Sequence, residues 1–521
     1  MKYLYITWLF FFSFNSYSQN TFNIRLNFGF PAAVLTAIHV EDSLVYASGV
    51  LADSIPPFNV GNIFASFSYE GEMLTVKVNT STDKTYQTWY KYLLKLDSNN
   101  FVLPGYTTDS IYRALILQLN KSGDIISNYT YLNPFFPQQN FIKAKAVEKT
   151  TDKCFIVANI IQTLPNGPFQ DMDAYIVKVD PAGEFVWSKI WGNDLVEEPT
   201  SLIPTPDNYF IIGGMRHSLN IEDSDYSFQC FLLAIDTSGQ IQWTWLSPES
   251  WGLRDAARDM VLLEDGSLVI ASGIGHEQQR PSVNVVYFDK AVFKLNPQRE
   301  LEWEVVLPDS VITGWTQTTK LVKLMNGSGF LLSGMTYSAQ PPPKYFLVSG
   351  WIAKISNNGE KLWERKLAVL TDGSDAHHIY DMKETPDGGI IICGEARDWS
   401  GQDSIPQQAW LMKLDSFGCL VPGCQLIDAT EEVQEQGTLL LYPNPARDYL
   451  NFFYRPTPGL SSRDIRFRIF DTSGRELQRF EAQAGEATYI VPLWHWPPGV
   501  YFLQLLQNGL PVKTERFVVT R

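Results

Sequence analysis

Short apolar runs alternate along this chain with turns built from Gly, Asp, Asn and Pro, the pattern of strands joined by tight reversals. Two arrangements recur. In the first, a turn leads into an apolar strand that ends near Gly. Its copies are Glu41-Asp42-Ser43 to Gly49, Ser98-Asn99-Asn100 to Gly105, Thr151-Asp152-Lys153 to Asn159, Pro206-Asp207-Asn208 to Gly214, Asp265-Gly266 to Gly273, Asn326-Gly327 to Gly334 and Asp387-Gly388 to Gly394. In the second, an apolar strand carrying Lys or a substitute runs into Asp or Asn and then a Gly turn. The sharpest copies are Lys178-Val179-Asp180 with Gly183, Ala234-Ile235-Asp236 with Gly239, Lys354-Ile355-Ser356 with Gly359, and Lys413-Leu414-Asp415 with Gly418. Weaker copies sit at Ser66 with Gly71, at Gln118 with Gly123, and at Lys294 without a Gly. The anchors 66, 118, 178, 234, 294, 354 and 413 are 52, 60, 56, 60, 60 and 59 residues apart, which defines seven repeated units.

Each unit reads as four short strands. An inner strand such as Met260 to Leu263 is followed by the Gly-ending strand, the Lys-bearing strand, and a last strand holding Trp187, Trp243, Trp303 or Trp363. Asp-Gly and Asn-Gly reach positive φ cheaply and mark two-residue hairpins. Four antiparallel strands repeated radially predict a β-propeller, which protects its strand edges. The seventh unit lacks a Trp strand after Lys413, while Phe22 to Gly29 resembles Phe185 to Gly192. The N-terminal strand is therefore expected to complete the last blade; an open array would leave it unpaired. The connections 50–62, 160–173, 215–229, 274–289, 335–350 and 395–408 are long. Antiparallel turns alternate sides, so these loops gather on one face. Trp191, Trp251, Trp315 and Trp399 fall in long-loop or linking segments and are candidates for an aromatic ligand platform; the competing role is packing between blades.

Length and charge narrow the class. The chain has 521 residues, 45% apolar and 14% aromatic, enough for a large core. A formal net charge of −15 argues against nucleic acid or an anionic membrane as partner. Lys2, the apolar run Tyr3 to Phe14, and the small residues Ser16 and Ser18 read as a signal peptide cut near Ser18. No later segment is long and apolar enough to span a bilayer.

The tail differs. Residues 425–438 hold Asp428, Glu431, Glu432 and Glu435 and read as an acidic linker. Residues 439–521 carry 10 basic and 7 acidic side chains and several strand-like runs, predicting a small antiparallel sandwich. The segment Leu441-Tyr442-Pro443-Asn444-Pro445-Ala446 resembles the opening of the type A C-terminal sorting domain of the Bacteroidetes type IX secretion system. Asp471-Thr472-Ser473-Gly474-Arg475, Pro498-Gly499-Val500-Tyr501-Phe502 and the closing stretch from Lys513 to Val519 match further motifs in order. The resemblance implies export through the periplasm, handling by the type IX machinery, removal of the tail, and a secreted or cell-surface destination.

Sites of chemistry are sparse. Cys419 and Cys424 flank a Pro-Gly turn and are a candidate disulfide; Cys154, Cys230 and Cys393 complete the five cysteines, with Cys154 and Cys393 read as core thiols. His377 and His378, with Asp372 and Asp375, point to opposite faces of a strand and so do not share one ion. Asp171/Asp173 and Asp223/Asp225 are common turn chemistry rather than a calcium cage. Asp180 to Trp187 and Asp236 to Trp243 look like quinoprotein repeats, but with one residue fewer between Asp and Gly; they also depart from the sialidase Asp-box. No catalytic, cofactor-binding or metal set is legible. The expected function is an exported, monomeric, non-catalytic module binding a glycan or a protein. The alternative is a secreted glycan-active hydrolase or lyase working on the long-loop face, which a pocket with two convergent carboxyls of raised pKa would favour.

Overall fold

The computed structural model describes residues 19–521 except 54–59, 109–110, 136–140, 163–171, 193–194, 221–224, 280–283, 309–315, 340–345, 371–374, 400–403, 422–423, 425–436, 457–464, 473–474, 483–485, 508–509 and 521. The expected signal peptide, Trp315, Asp171, Asp223, Asp372, Gly474 and most of the acidic linker lie outside the described residues. Two compact units are present, Met1–Leu420 and Val421–Arg521.

In the first unit the described residues form seven four-stranded antiparallel blades. Blade 3 shows the pattern: Ile142–Lys149, Phe155–Gln162, Met172–Val179 and Phe185–Trp191 pair in chain order from the inside out. Blade 7 takes Asp375–Glu384, Ile390–Asp398 and Gln407–Leu414 from one end of the unit and Phe22–Leu26 from the other. Phe22 pairs with Lys413 and Leu26 with Ala409, so the first strand of the described chain closes the last blade. The first unit is a seven-bladed β-propeller.

The repeat follows from a local hydrogen-bond device. In most of the turns that follow the third strand, one side-chain oxygen accepts two backbone N–H groups. Asp180 Oδ1 accepts from Ala182 and Glu184, both at 2.9 Å. Asp236, Asn120 and Asp415 do the same, and Ser356 Oγ substitutes in blade 6. Three residues on, the backbone is left-handed, at φ 81° for Gly239 and Gly359. Arg299, at φ 68°, takes that place in blade 5, which explains the missing Gly there.

Those turns also join the blades. A Cβ on Gly239 would lie 2.9 Å from the Trp187 ring of the preceding blade, and one on Gly359 equally close to Trp303. Gly418 meets Trp363 in the same way, and the Arg299 guanidinium lies 3.9 Å from the Trp243 ring centre. The outer-strand Trp is therefore inter-blade mortar. The Lys of the third strand ties down the first hairpin of its own blade, as Lys178 with Asp152 at 2.7 Å and Lys413 with Asp387 at 2.5 Å. Between blades the core is largely apolar: Val157 and Val177 of blade 3 are buried in one cluster with Leu202, Ile212 and Leu233 of blade 4. Each such side chain contributes about 1.5–3 kcal/mol.

Two features depart from the sequence reading. The long connections of blades 4 and 5 are regular two-stranded ribbons, Tyr209–Asn220 with Asp225–Asp236 and Leu268–Gln279 with Asn284–Leu295, because a ribbon satisfies its own backbone groups. The inner strand of blade 2 is broken into Gln87–Thr88 and Leu94–Lys95, with Trp89 to Leu93 bowed out between them.

The second unit is a β-sandwich. One sheet orders Gly437–Tyr442, Tyr449–Pro456 and Ala487–Pro492; the other orders Glu476–Glu481, Ile465–Asp471, Gly499–Gln507 and Leu510–Val519. Its core holds Phe452, Phe467, Tyr489, Leu503 and Phe517, with Phe452 stacked on Tyr489 at 4.5 Å.

Candidate functional site

Two cavities, of about 230 and 170 Å³, share Trp89, Tyr90 and Tyr380 at the propeller axis. The larger is completed by Lys91, Glu198, Thr200, Arg258, Gln317 and Thr319, the smaller by Thr36, Glu395, Arg397 and Gln407. These residues come from the first halves of inner strands and from the ends of second and third strands. Strand direction therefore opens both cavities on the face that carries the long hairpins.

One backbone irregularity builds the lining. Five inner strands carry a bulge at the same place, at Thr36, Lys145, Thr200, Thr319 and Tyr380. A bulge leaves its extra residue out of the ladder and re-aims it. Arg258 and Lys91 take the matching positions in blades 5 and 2, Lys91 at φ 69°. Lys91 reaches across the axis and donates to the carbonyls of Thr200 and Arg258. Tyr92 Oη accepts the Leu202 N–H at 2.9 Å. The bowed segment of blade 2 thus floors the channel. Burial there lowers the Lys91 ammonium to about 8.

Most charged groups of the mouth are paired. Lys145 holds Glu198 at 2.7 Å and lies 3.6 Å over the Trp89 ring. Burial would raise the Glu198 carboxyl, but the ammonium overrides it and keeps it below its ordinary range. Arg258 grips Asp255 with two bonds of 2.7 and 2.9 Å. Glu395 accepts from Tyr380 Oη at 2.8 Å, from Arg397 at 3.0 Å and from Gln407, and pairs with His378 at 3.1 Å. Burial opposes ionisation of Glu395, but His378 and Arg397 bring its pKa down to about 2. Both cavity carboxylates are therefore held ionised. Glu148, which burial raises to about 7, stands on the inner strand of blade 3 and lines neither cavity.

A row of rings crosses the mouth. Tyr90 stacks on Tyr380 at 4.4 Å and 10°, and His378 continues the stack. Trp89, Tyr106, Tyr112 and Phe141 extend it on the other side with centroid spacings of 5.5–6.4 Å. Tyr90 and Tyr112 are each 37% exposed.

The Trp residues singled out by sequence are elsewhere. Trp191 packs on Phe231 at 4.5 Å, and Trp251 packs between Trp245 and Phe293. Both pack against the inter-blade core, Trp191 from the end of an outer strand and Trp251 from the short 3-10 turn Glu249–Trp251 that links blades 4 and 5. Trp399 is half exposed, and Trp315 is outside the described residues. The rings at the mouth were missed because they sit where blade 2 breaks the period; the run Trp89-Tyr90-Lys91-Tyr92 was the available signal. His377 accepts the N–H groups of Val369 and Leu370 at 3.1 Å, whereas His378 turns to Glu395 and Tyr337. Asp173 is buried in its strand, and Asp225 opens the third strand of blade 4. Cys419 and Cys424 are disulfide-bonded, and Cys154, Cys230 and Cys393 are buried free thiols.

In the sandwich, the motif residues tie the two ends of the domain together. Asn444 Nδ2 donates to the Arg516 carbonyl and its Oδ1 accepts the Val518 N–H, both at 3.0 Å. Tyr442, Pro443 and Pro445 flank it on the surface, and Ala446 bonds to Val518 and Thr520. Asp471 closes its turn on Arg475 at 3.1 Å. Tyr501, two residues after Gly499, is buried and donates to the Pro497 carbonyl at 2.7 Å. Lys513 is exposed and pairs with Glu515 at 3.5 Å.

Among the described residues, no helix is long and apolar enough to cross a membrane. Among solved structures, similar folds include the Pan2 WD40 domain of Neurospora crassa, at 10% identity and TM-score 0.38, covering 73% of this chain and 89% of that one. The polysaccharide lyase Uly1 gives 9% identity and TM-score 0.41 over 73% and 89%, and the α-L-arabinofuranosidase Arb93A of Fusarium graminearum 11% and 0.37 over 77% and 100%. Likeness at that level carries no chemistry. No curated protein matches the sequence. Residues 440–520 match the family described as the secretion system C-terminal sorting domain. The sandwich is that sorting domain, and the chain is a β-propeller that carries a secretion-system sorting domain at residues 440–520.

Proposed function

We propose that the propeller is a non-catalytic carbohydrate-binding module, displayed on the cell surface or released, with its ligand seated at the mouth of the axial channel. The observation that carries this reading is the row of partly exposed rings at Tyr90 and Tyr380, set beside inward hydrogen-bonding groups in a cavity floored by Lys91. Sugar rings offer apolar C–H faces to aromatic side chains and hydroxyls to groups such as Glu198, Thr200 and Gln317. The floor favours the end of a glycan over a threaded chain. The absence of catalysis rests on the carboxylates. Glycoside hydrolysis needs one carboxylic acid kept protonated, and Glu198 and Glu395 are each held ionised by a cation.

The test is a binding screen of the full chain without residues 1–18 against oligosaccharides, with product analysis on every hit. Binding without turnover, weakened about tenfold or more in Tyr90→Ala at unchanged melting temperature, is the expected result. Turnover abolished in Glu198→Gln would overturn it in favour of a hydrolase or lyase at the same cavity.

A further inference from the structure

We infer that the sugar taken at this mouth is anionic, its carboxylate or sulfate ester received by Lys143; this rests on the carbohydrate reading above. Three other cations of the mouth are matched by a carboxylate of the protein: Lys145 by Glu198, Arg258 by Asp255 and Arg397 by Glu395. Lys91 is spent on two backbone carbonyls. Lys143 differs. Among the described residues it makes no ion pair, and its ammonium stands 4.5 Å from the Tyr106 ring centre, 4.8 Å from Phe141, 5.5 Å from Tyr112 and 6.0 Å from Trp89.

Four ring faces turned to one ammonium hold it in place, but they do not neutralise it. The group has given up part of its hydration, and the carboxylate that acts on it from a distance, Glu198, is bonded to Lys145 instead. Burial, and then the neighbouring Lys145, lower its pKa, so a bound anion would relieve the site. The position is also right. Trp89 belongs both to the cage around Lys143 and to the wall of the larger cavity, and the exposed part of Tyr112 borders the cage. A saccharide stacked on the ring row therefore brings a substituent within reach of Lys143. An ammonium is a compact point charge, suited to a single anionic group rather than to fork-like recognition.

Hexuronate oligomers and their methyl esters, and sulfated galactan oligomers and their desulfated forms, are matched pairs that differ in charge. Affinities of the full chain for each pair test the inference. The acidic member of at least one pair is expected to bind about 10- to 100-fold more tightly than its neutral partner. The pair that shows the advantage identifies the anion. Lys143→Met should bring the acidic ligand to the affinity of the neutral one and leave the neutral one unchanged, and Lys143→Arg should retain part of the preference. Thermal melting of both variants checks that the cage has not collapsed. Equal affinity within both pairs, or an advantage that survives Lys143→Met, overturns the inference and leaves carbohydrate binding intact. Failure of all four probes, charged and neutral alike, while no oligosaccharide binds in the wider screen, overturns the carbohydrate reading itself.

Discussion

His377 shows how a buried imidazole serves as a structural acceptor. Its Nε2 takes two backbone N–H groups from the segment linking blades 6 and 7. Burial lowers its pKa from 6.5 to about 4. Between those values the unfolded chain binds a proton that the folded chain excludes. Stability therefore rises with pH across this window and falls on acidification. Each unit of depression corresponds to about 1.4 kcal/mol. Melting temperatures between pH 7 and pH 4.5 should fall steadily, and the slope should flatten in His377→Asn, which keeps an acceptor but does not titrate there. An unchanged slope in that variant would assign the effect to another group, His39 first, since burial lowers it to about 4 as well. At this scale the sequence offered two roles for its aromatics, ligand platform or packing between blades. Of the indoles in long-loop or linking segments, Trp191 and Trp251 pack against the core, while Tyr90 and Tyr380 face the mouth. Which ring is spare depends on what the next blade covers.

At the scale of the element, the turn before the outer strand is the most legible feature of the chain. Its parts, an accepting side chain and a left-handed residue three positions later, are adjacent in sequence and fold by local hydrogen bonding. Gly359 serves both the turn and the blade contact, at φ 81° and with Trp303 within 2.9 Å of a Cβ. Gly359→Ala should cost about 1–3 kcal/mol, read by chemical denaturation. The blade-5 counterpart supplies the control: Arg299→Gly should lose the cation–ring contact with Trp243 but relieve backbone strain, so its change should be smaller. The inner-strand bulges that line the cavities are not legible in the same way. Thr36, Lys145, Thr200, Thr319 and Tyr380 share no residue type, because a bulge is set by the register of two strands and not by the residue it displaces.

For the whole molecule, closure through Phe22–Leu26 makes the two ends of the propeller interdependent. Asn23 accepts from Trp410 Nε1 at 2.7 Å, and Gln19 Oε1 accepts from the Ser416 N–H at 2.8 Å. Deleting residues 19–29 would leave blade 7 with an unpaired edge at Gln407–Leu414. The expected outcome is a lower and broader melting transition together with self-association by size-exclusion chromatography, since exposed edges recruit other strands. A monomeric deletion variant with an unchanged transition would show that closure adds little. The period, the blade count, the closing strand and the sorting tail could be read from sequence because each depends on contacts that recur at fixed spacing or lie within a few residues. The mouth of the channel could not be. It is assembled from blades 1, 2, 4, 5, 6 and 7, on residues far apart in the chain, and its floor exists because one inner strand breaks the repeat. A local turn is encoded where it stands, whereas a cavity is the space several distant strands leave between them, and only the packed ring decides that.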